Sequence, residues 1–178
     1  SMVGTTFTIH VPPILAVQRG IMLRCAGANL IIPTIAVRSV HDFSARDLAE
    51  VEGELVVLLH DDAVALRRLS TVLGLPGSDD DLPEHMIAVV LDQGPQRIAL
   101  LVDDAFDERE IVVKPLPFPI ESVAHVSGAI YDDAGMVIMV LDADALIASA
   151  LARNQRPMRR ETKAATHVPR ILIVDDSL

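Results

Sequence analysis

The residues able to do chemistry are six histidines, one cysteine and a few runs of carboxylates. His10, His41, His60, His85, His125 and His167 are scattered along the chain. None shares the short spacing that would aim paired imidazoles at one metal ion. A hydrolase would need a nucleophile, a base and an oxyanion site in one place, and no Gly-x-Ser-x-Gly elbow supplies the first. Cys25 is the only cysteine, so it cannot close an internal disulfide, which fits a reducing compartment. Asp79-Asp80-Asp81 is expected as a solvated loop, because no spaced oxygen ligands complete a coordination shell around it. The sequence therefore predicts no catalytic residue, and no metal or cofactor held by this stretch. Its chemistry is expected to be that of surfaces.

The elements that would position such surfaces are short and mostly extended. The stretch Ile98 to Leu116 organises the rest. An apolar strand, Ile98 to Val102, runs into an acidic corner at Asp103-Asp104, and a second apolar run, Ile111 to Val113, ends at Lys114-Pro115. Before it, Phe7, Ile9 and Val11 alternate with polar residues, as in a half-buried strand. Ile21 to Cys25 and Leu30 to Ile32 read as a hairpin around the turn residues Ala26 to Asn29, closed by Pro33. Thr34 to Arg38 is expected as a short helix capped by Thr34, and Val40 to Phe43 as a strand. Ser44 to Glu52 is polar and reads as a loop or brief helix. Glu54 to Leu59 and Ala63 to Leu66 are expected as strands around the turn His60-Asp61-Asp62. Leu69 to Leu73 makes one or two helical turns ended by Gly74. Met86 to Leu91 and Arg97 to Val102 pair across Asp92 to Pro95. Pro115, Pro117 and Pro119 exclude helix after the organising stretch. Val126 to Tyr131 and Met136 to Leu141 make a last hairpin, and Asp142 caps a helix over Ala143 to Leu151.

Composition narrows the partners. The 178 residues are 51% hydrophobic but only 3% aromatic, with a formal charge of −10. The core must then be Val, Leu, Ile and Ala, and crowded β-branched residues favour strands. A net acidic chain repels phosphate backbones, so nucleic acid is excluded as the expected partner. No apolar stretch reaches the roughly 18 residues of a membrane span, and no direct membrane insertion is expected. Ser1-Met2 reads as a cloning remnant ahead of an internal piece of a larger, cytoplasmic protein. Residues 153–170 change character: Arg153, Arg156, Arg159, Arg160, Lys163 and Arg170 stand among Gln, Asn, Thr and Pro, as in a flexible basic linker.

From Gly20 to Leu151 the chain resembles the CheW-like regulatory domain of chemotaxis histidine kinases, the CheA family. The segments that carry the resemblance occur in order. Gly20-Ile-Met-Leu-Arg, Leu30-Ile-Ile-Pro33 and Val37-Arg-Ser-Val40 match the first hairpin and its exit. Glu54-Leu-Val-Val-Leu, Ala65-Leu-Arg-Arg-Leu69 and Leu73-Gly-Leu-Pro76 match the second. Ala99-Leu-Leu-Val-Asp103, Glu110-Ile-Val-Val-Lys-Pro-Leu116, Ser127-Gly-Ala129 and Gly135-Met-Val-Ile-Met-Val-Leu-Asp142 match the remainder. Two positions depart from the pattern. His60-Asp61-Asp62 stands where Arg-Gly-Glu is commoner, and Ala65 stands where a proline is usual. Gly4 to Pro13 resembles the last strand of a histidine-kinase ATP-binding domain. Arg170 to Leu178 resembles the first strand of a response-regulator receiver.

The resemblance implies an all-β fold, two side-by-side five-stranded SH3-like β-barrels with a C-terminal helix. It implies residues 1–13 as the tail of an ATP-binding domain, 14–152 as the CheW-like domain, 153–169 as linker and 170–178 as the start of a receiver. The parent would be a hybrid chemotaxis-type sensor kinase that uses ATP and Mg, with Asp175 and Asp176 holding Mg in its complete receiver. The partners implied are a CheW-type adaptor and the cytoplasmic tip of chemoreceptors, at membrane-associated receptor arrays. Ile35, Val37 and Val40 are the candidate docking residues, with plain core positions as their alternative reading. A small-molecule-binding β-barrel is the alternative function, favoured by a cavity of several hundred Å³.

Overall fold

The computed structural model describes residues 17–59, 62–76, 82–94, 96–116, 120 and 122–152. Eleven strands and two short helices form two sheets. β1 (Val17–Cys25) and β2 (Ala28–Pro33) lead through a 3-10 turn at Thr34–Ala36 into β3 (Val37–Ser44). A second 3-10 turn, Ala45–Asp47, precedes β4 (Leu48–Val51), β5 (Glu54–Leu59) and β6 (Asp62–Arg68). Helix α1 (Leu69–Leu73) follows, then β7 (His85–Gln93), β8 (Gln96–Val102), β9 (Asp104–Val112), β10 (Val126–Tyr131), β11 (Val137–Leu141) and α2 (Ala143–Leu151).

The first sheet runs β10-β11-β2-β1-β9 and the second β3-β7-β8-β6-β5-β4. The chain leaves the first sheet after β2, builds the second, and returns at β9. This mostly β, two-sheet architecture with a terminal helix is the expected one. The second sheet has six strands rather than five, because β4 forms inside the run read as polar loop. In the first sheet the outer strands are tied together. Lys114, just past β9, forms a two-way bridge with Ala129 on β10, N–H to O at 2.9 Å in both directions. That approach requires glycine next door. A Cβ on Gly128 would sit 2.5 Å from the Lys114 carbonyl oxygen and 2.6 Å from a Val113 methyl.

Three packed cores follow from strand alternation. Inside the first sheet lie Met22, Ile31, Ile111, Ile130, Ile138 and Val140. Inside the second lie Phe43, Leu48, Leu55, Val57, Val64, Leu66, Met86, Ala88, Val90, Ala99 and Leu101. The third and largest core fills the space between the sheets. Leu23 and Ile32 meet Val89, Leu91, Ile98 and Leu100 there, with Leu69 and Val72 of α1 and Leu146, Ile147 and Ala150 of α2. Side chains along β7 and β8 therefore point alternately into two different cores. This is why those strands are continuously apolar, where a half-buried strand would alternate.

Local signals set the corners. Cys25 pairs with Ala28 and Val51 with Glu54, leaving two residues at each tip. Ala26 and Gly27, like Glu52 and Gly53, have positive φ, the tight hairpin turn whose twist matches the flanking strands. Gly74 ends α1 at φ 67, as its place after Leu73 predicts. Asp142 caps α2, accepting from the Ala145 amide at 3.1 Å. The helix expected over Thr34 to Arg38 is not formed. Only the three-residue turn is present, Pro33 occupies its cap position without a side-chain bond, and β3 begins at Val37. The second barrier to that helix is β3 itself, since pairing with the buried β7 holds Val37 onward extended. The strand expected over Phe7 to Val11, the linker and the terminal strand lie outside the described residues, as do His10, His60, Asp79 to Asp81, His167, Asp175 and Asp176.

Candidate docking surface

The turn Thr34–Ala36 is the direct connection from the first sheet to the second, so whatever it presents sits at their seam. It is held from below. The Thr34 hydroxyl donates to Glu108 at 3.5 Å, Arg19 reaches the same carboxylate at 3.7 Å, and β1 touches the turn. Ile35 has no such hold. It is 94% exposed, the most exposed large apolar side chain among the described residues.

The three residues singled out from the sequence separate on the structure. Val40 lies on β3 opposite Val89 and is 41% exposed. Val37 is half-buried and packs against the core between the sheets, so it supports the surface rather than forming it. The sequence reading missed Val17, which is 63% exposed and pairs across β1–β9 with the half-exposed Val112. Val17 carried no signal because the strand was read as starting only at Ile21, whereas β1 begins at Val17. Charge stands beside the turn, where Arg19 and Glu108 pair at 3.7 Å. An apolar centre inside a polar rim is the anatomy of a protein–protein contact.

A second apolar patch sits at the β10–β11 tip. Tyr131 and Val137 are a cross-strand pair, both exposed, beside exposed Met136. The Lys114 ammonium lies 5.2 Å from the Tyr131 ring centre, within cation–π range. Phe106 is the extra residue of the bulge opposite Met22 and Leu23, and is turned outward beneath the Arg24 guanidinium, 5.5 Å away.

The candidate chemical groups do not converge. His41 contacts Ser39 at 2.9 Å inside the second sheet, and His125 contacts Ser149 of α2 at 2.7 Å. His85 is exposed on β7. No group of three metal-ligating side chains occurs among the described residues. Cys25 is buried, and its thiol is pushed up to about 11, first by desolvation and then by Asp103. A thiol held neutral in this way is a poor nucleophile.

The fold defines a class, a two-sheet β-scaffold with a terminal helix. Residues 19–151 match the model of the CheW-like domain, and the chain belongs to that family. The chain is 31% identical over 154 residues to the chemotaxis protein CheA of Salmonella typhimurium, covering 86% of this chain and 22% of the relative. The match to the gliding motility regulatory protein of Myxococcus xanthus is 31% over 176 residues, covering 98% and 22%. That to the chemotaxis protein CheA of Treponema pallidum is 25% over 163 residues, covering 92% and 20%. The chain thus spans about a fifth of the length of these relatives. Among solved structures, the scaffolding protein TtCheW from Thermoanaerobacter tengcongensis superimposes with a TM-score of 0.59 at 14% identity, covering 71% of this chain and 90% of that one. At that identity it shows the shared fold. No helix among the described residues is long and apolar enough to cross a membrane.

Proposed function

We propose that this chain is the coupling module of a chemotaxis-type hybrid sensor histidine kinase. It docks on a CheW-type adaptor and on the cytoplasmic tip of chemoreceptors, and so passes receptor state to the attached kinase. It works in the cytoplasm, at membrane-associated receptor arrays, and is not itself an enzyme. ATP and Mg serve other parts of the parent. Family membership and the chemotaxis relatives support this reading, and one structural observation carries it: Ile35 stands bare at the connection between the two sheets. A partner seated there touches both sheets at once. The three buried cores behind the seam make it stiff, so a shift of the partner would move the whole module rather than deform it.

The test is titration of the chain against a purified CheW-type adaptor from the same source, without ATP. Binding is expected, with Ile35→Glu weakening it at least about tenfold, because a carboxylate would be desolvated at the contact centre. Absence of binding at high micromolar concentration sinks the adaptor reading. Binding that Ile35→Glu leaves unchanged moves the contact elsewhere, with the Tyr131–Val137 patch next in line. Incubated with labelled ATP, the chain is expected to take up no phosphate.

A further inference from the structure

The inward positions of the second sheet change character toward one end. Deep in the sheet they are apolar: Phe43, Val57, Leu66, Ala88 and Leu101 all belong to its core. At the mouth, the same inward registers carry Ser39 and His41 on β3, Asp62 on β6, Asp92 on β7 and Arg97 on β8. Ser39, His41, Asp62 and Arg97 line an open cup of about 630 Å³, floored by Val64, Val90 and Leu59 and edged by Arg38, with Asp92 behind its wall. Four of the charges form a chain across the mouth. Arg38 donates to Asp92 at 3.0 Å, Arg97 lies 3.5 Å from the same carboxylate oxygen, and Arg97 donates to Asp62 at 2.6 Å.

The order of that chain has a polarity. Its middle members, Asp92 and Arg97, are the more buried, while its ends, Arg38 and Asp62, are 56% and 67% exposed. One end is a cation on β3 and the other an anion on β6. The Arg97 Nε is buried and is the atom that faces Asp92. The four charges sum to zero. A ligand of either single charge would meet repulsion at one end, whereas a molecule carrying both signs would meet complementarity at each. The valine floor asks for an aliphatic body between them.

We propose that this cup binds a small zwitterion with an aliphatic body, a free amino acid or a short peptide with open termini. Its carboxylate sits at Arg38 and its ammonium at Asp62. The proposal does not rest on the docking reading. Because exposed ion pairs contribute little each, the dissociation constant should be on the order of 1 mM.

The experiment is a two-dimensional amide NMR titration of the whole chain with leucine and, separately, glycyl-leucine. Shifts at Ser39, His41, Val64 and Val90 are expected with at least one of them, and the tighter of the two identifies the source. N-acetyl-leucine and leucine amide, which each lack one charge, should bind at least about fivefold more weakly. Arg38→Gln and Asp62→Asn, both at the exposed rim, should each lower the affinity while the other amide positions stay as in the parent chain. No shift at tens of millimolar of either probe overturns the proposal. So do identical shifts with sodium acetate or ammonium chloride alone, or N-acetyl-leucine binding as tightly as leucine. These comparisons between ligands decide the matter even if a variant misfolds.

Discussion

β8 and β9 are consecutive in the chain, separated only by Asp103, and they have opposite fates. β8 lies inside the second sheet, and Ile98 to Val102 are all buried. β9 is the last strand of the first sheet, and five successive residues, Phe106 to Glu110, are exposed. The first has two cores to fill, the second has a free edge to protect. Charges along an edge discourage pairing with a second molecule. Here they pair among themselves instead, Arg109 with Asp107 at 2.6 Å and Arg19 with Glu108 at 3.7 Å. Against that background Ile35 stands out: at 94% it is the most exposed large apolar side chain among the described residues.

The contrast should be largest in stability. Leu100→Ala opens a void in the core between the sheets, where Leu100 is 1% exposed, and should cost roughly 2–5 kcal/mol. Phe106→Ala on β9 should cost well under half of that, because Phe106 is half out of the core. Urea denaturation of both variants checks the difference. Comparable losses would mean that β9 is buried in some way the exposure pattern does not express.

Next in size is the closure of the first sheet. Gly128→Ala forces Lys114 away from Ala129 and should cost roughly 1–3 kcal/mol by overpacking. Amide exchange at Lys114 and Ala129 should accelerate, while exchange at Leu100 slows or accelerates only as global stability requires. Uniform acceleration would show that the bridge is not a local tie.

These two regions also explain what was legible in the sequence. The doubly buried strands read correctly, because Met86 to Leu91 and Ile98 to Val102 leave no other use for so many consecutive apolar residues. The caps at Asp142 and Gly74 read correctly, because each rests on a local mechanism. β9 was seen only at its apolar end, since Asp104 to Glu110 has the composition of a loop. β4 was missed for the same reason: Leu48 is its single buried residue, and pairing with β5 creates the strand. Thr34 looked like a helix cap, but its hydroxyl goes to Glu108, 74 residues away. At the candidate surface, Ile35 and Val40 of the three residues singled out are exposed and Val37 is half-buried, while Val17 lay ahead of the strand as read.

The seam supplies a change that should leave stability almost untouched. Ile35→Glu alters a side chain with nearly no burial, so its unfolding free energy should stay within about 0.5 kcal/mol of the parent chain. Set beside Leu100→Ala, it separates a residue kept for packing from one kept for contact. A loss comparable to Leu100→Ala would return Ile35 to the core and remove it from the docking surface.

The smallest effect concerns the corner between β3 and β4. Asp47 accepts from the Ser44 amide at 2.8 Å and its hydroxyl at 3.0 Å, and its carboxyl is held below the ordinary value, chiefly by the amide bond. A carboxylate depressed in the folded state stabilises fully above its unfolded value of 3.8. That contribution is lost as pH falls through the lower folded value. Asp47→Asn should therefore lower the thermal midpoint slightly at neutral pH. The gap between variant and parent should close under strongly acidic conditions, where Asp47 is protonated in both states. Because Asp47 is fully solvated, the gap should stay small. A gap that persists in acid would assign the capping box to hydrogen-bond geometry rather than to charge, and would leave β3 and β4 joined by shape alone.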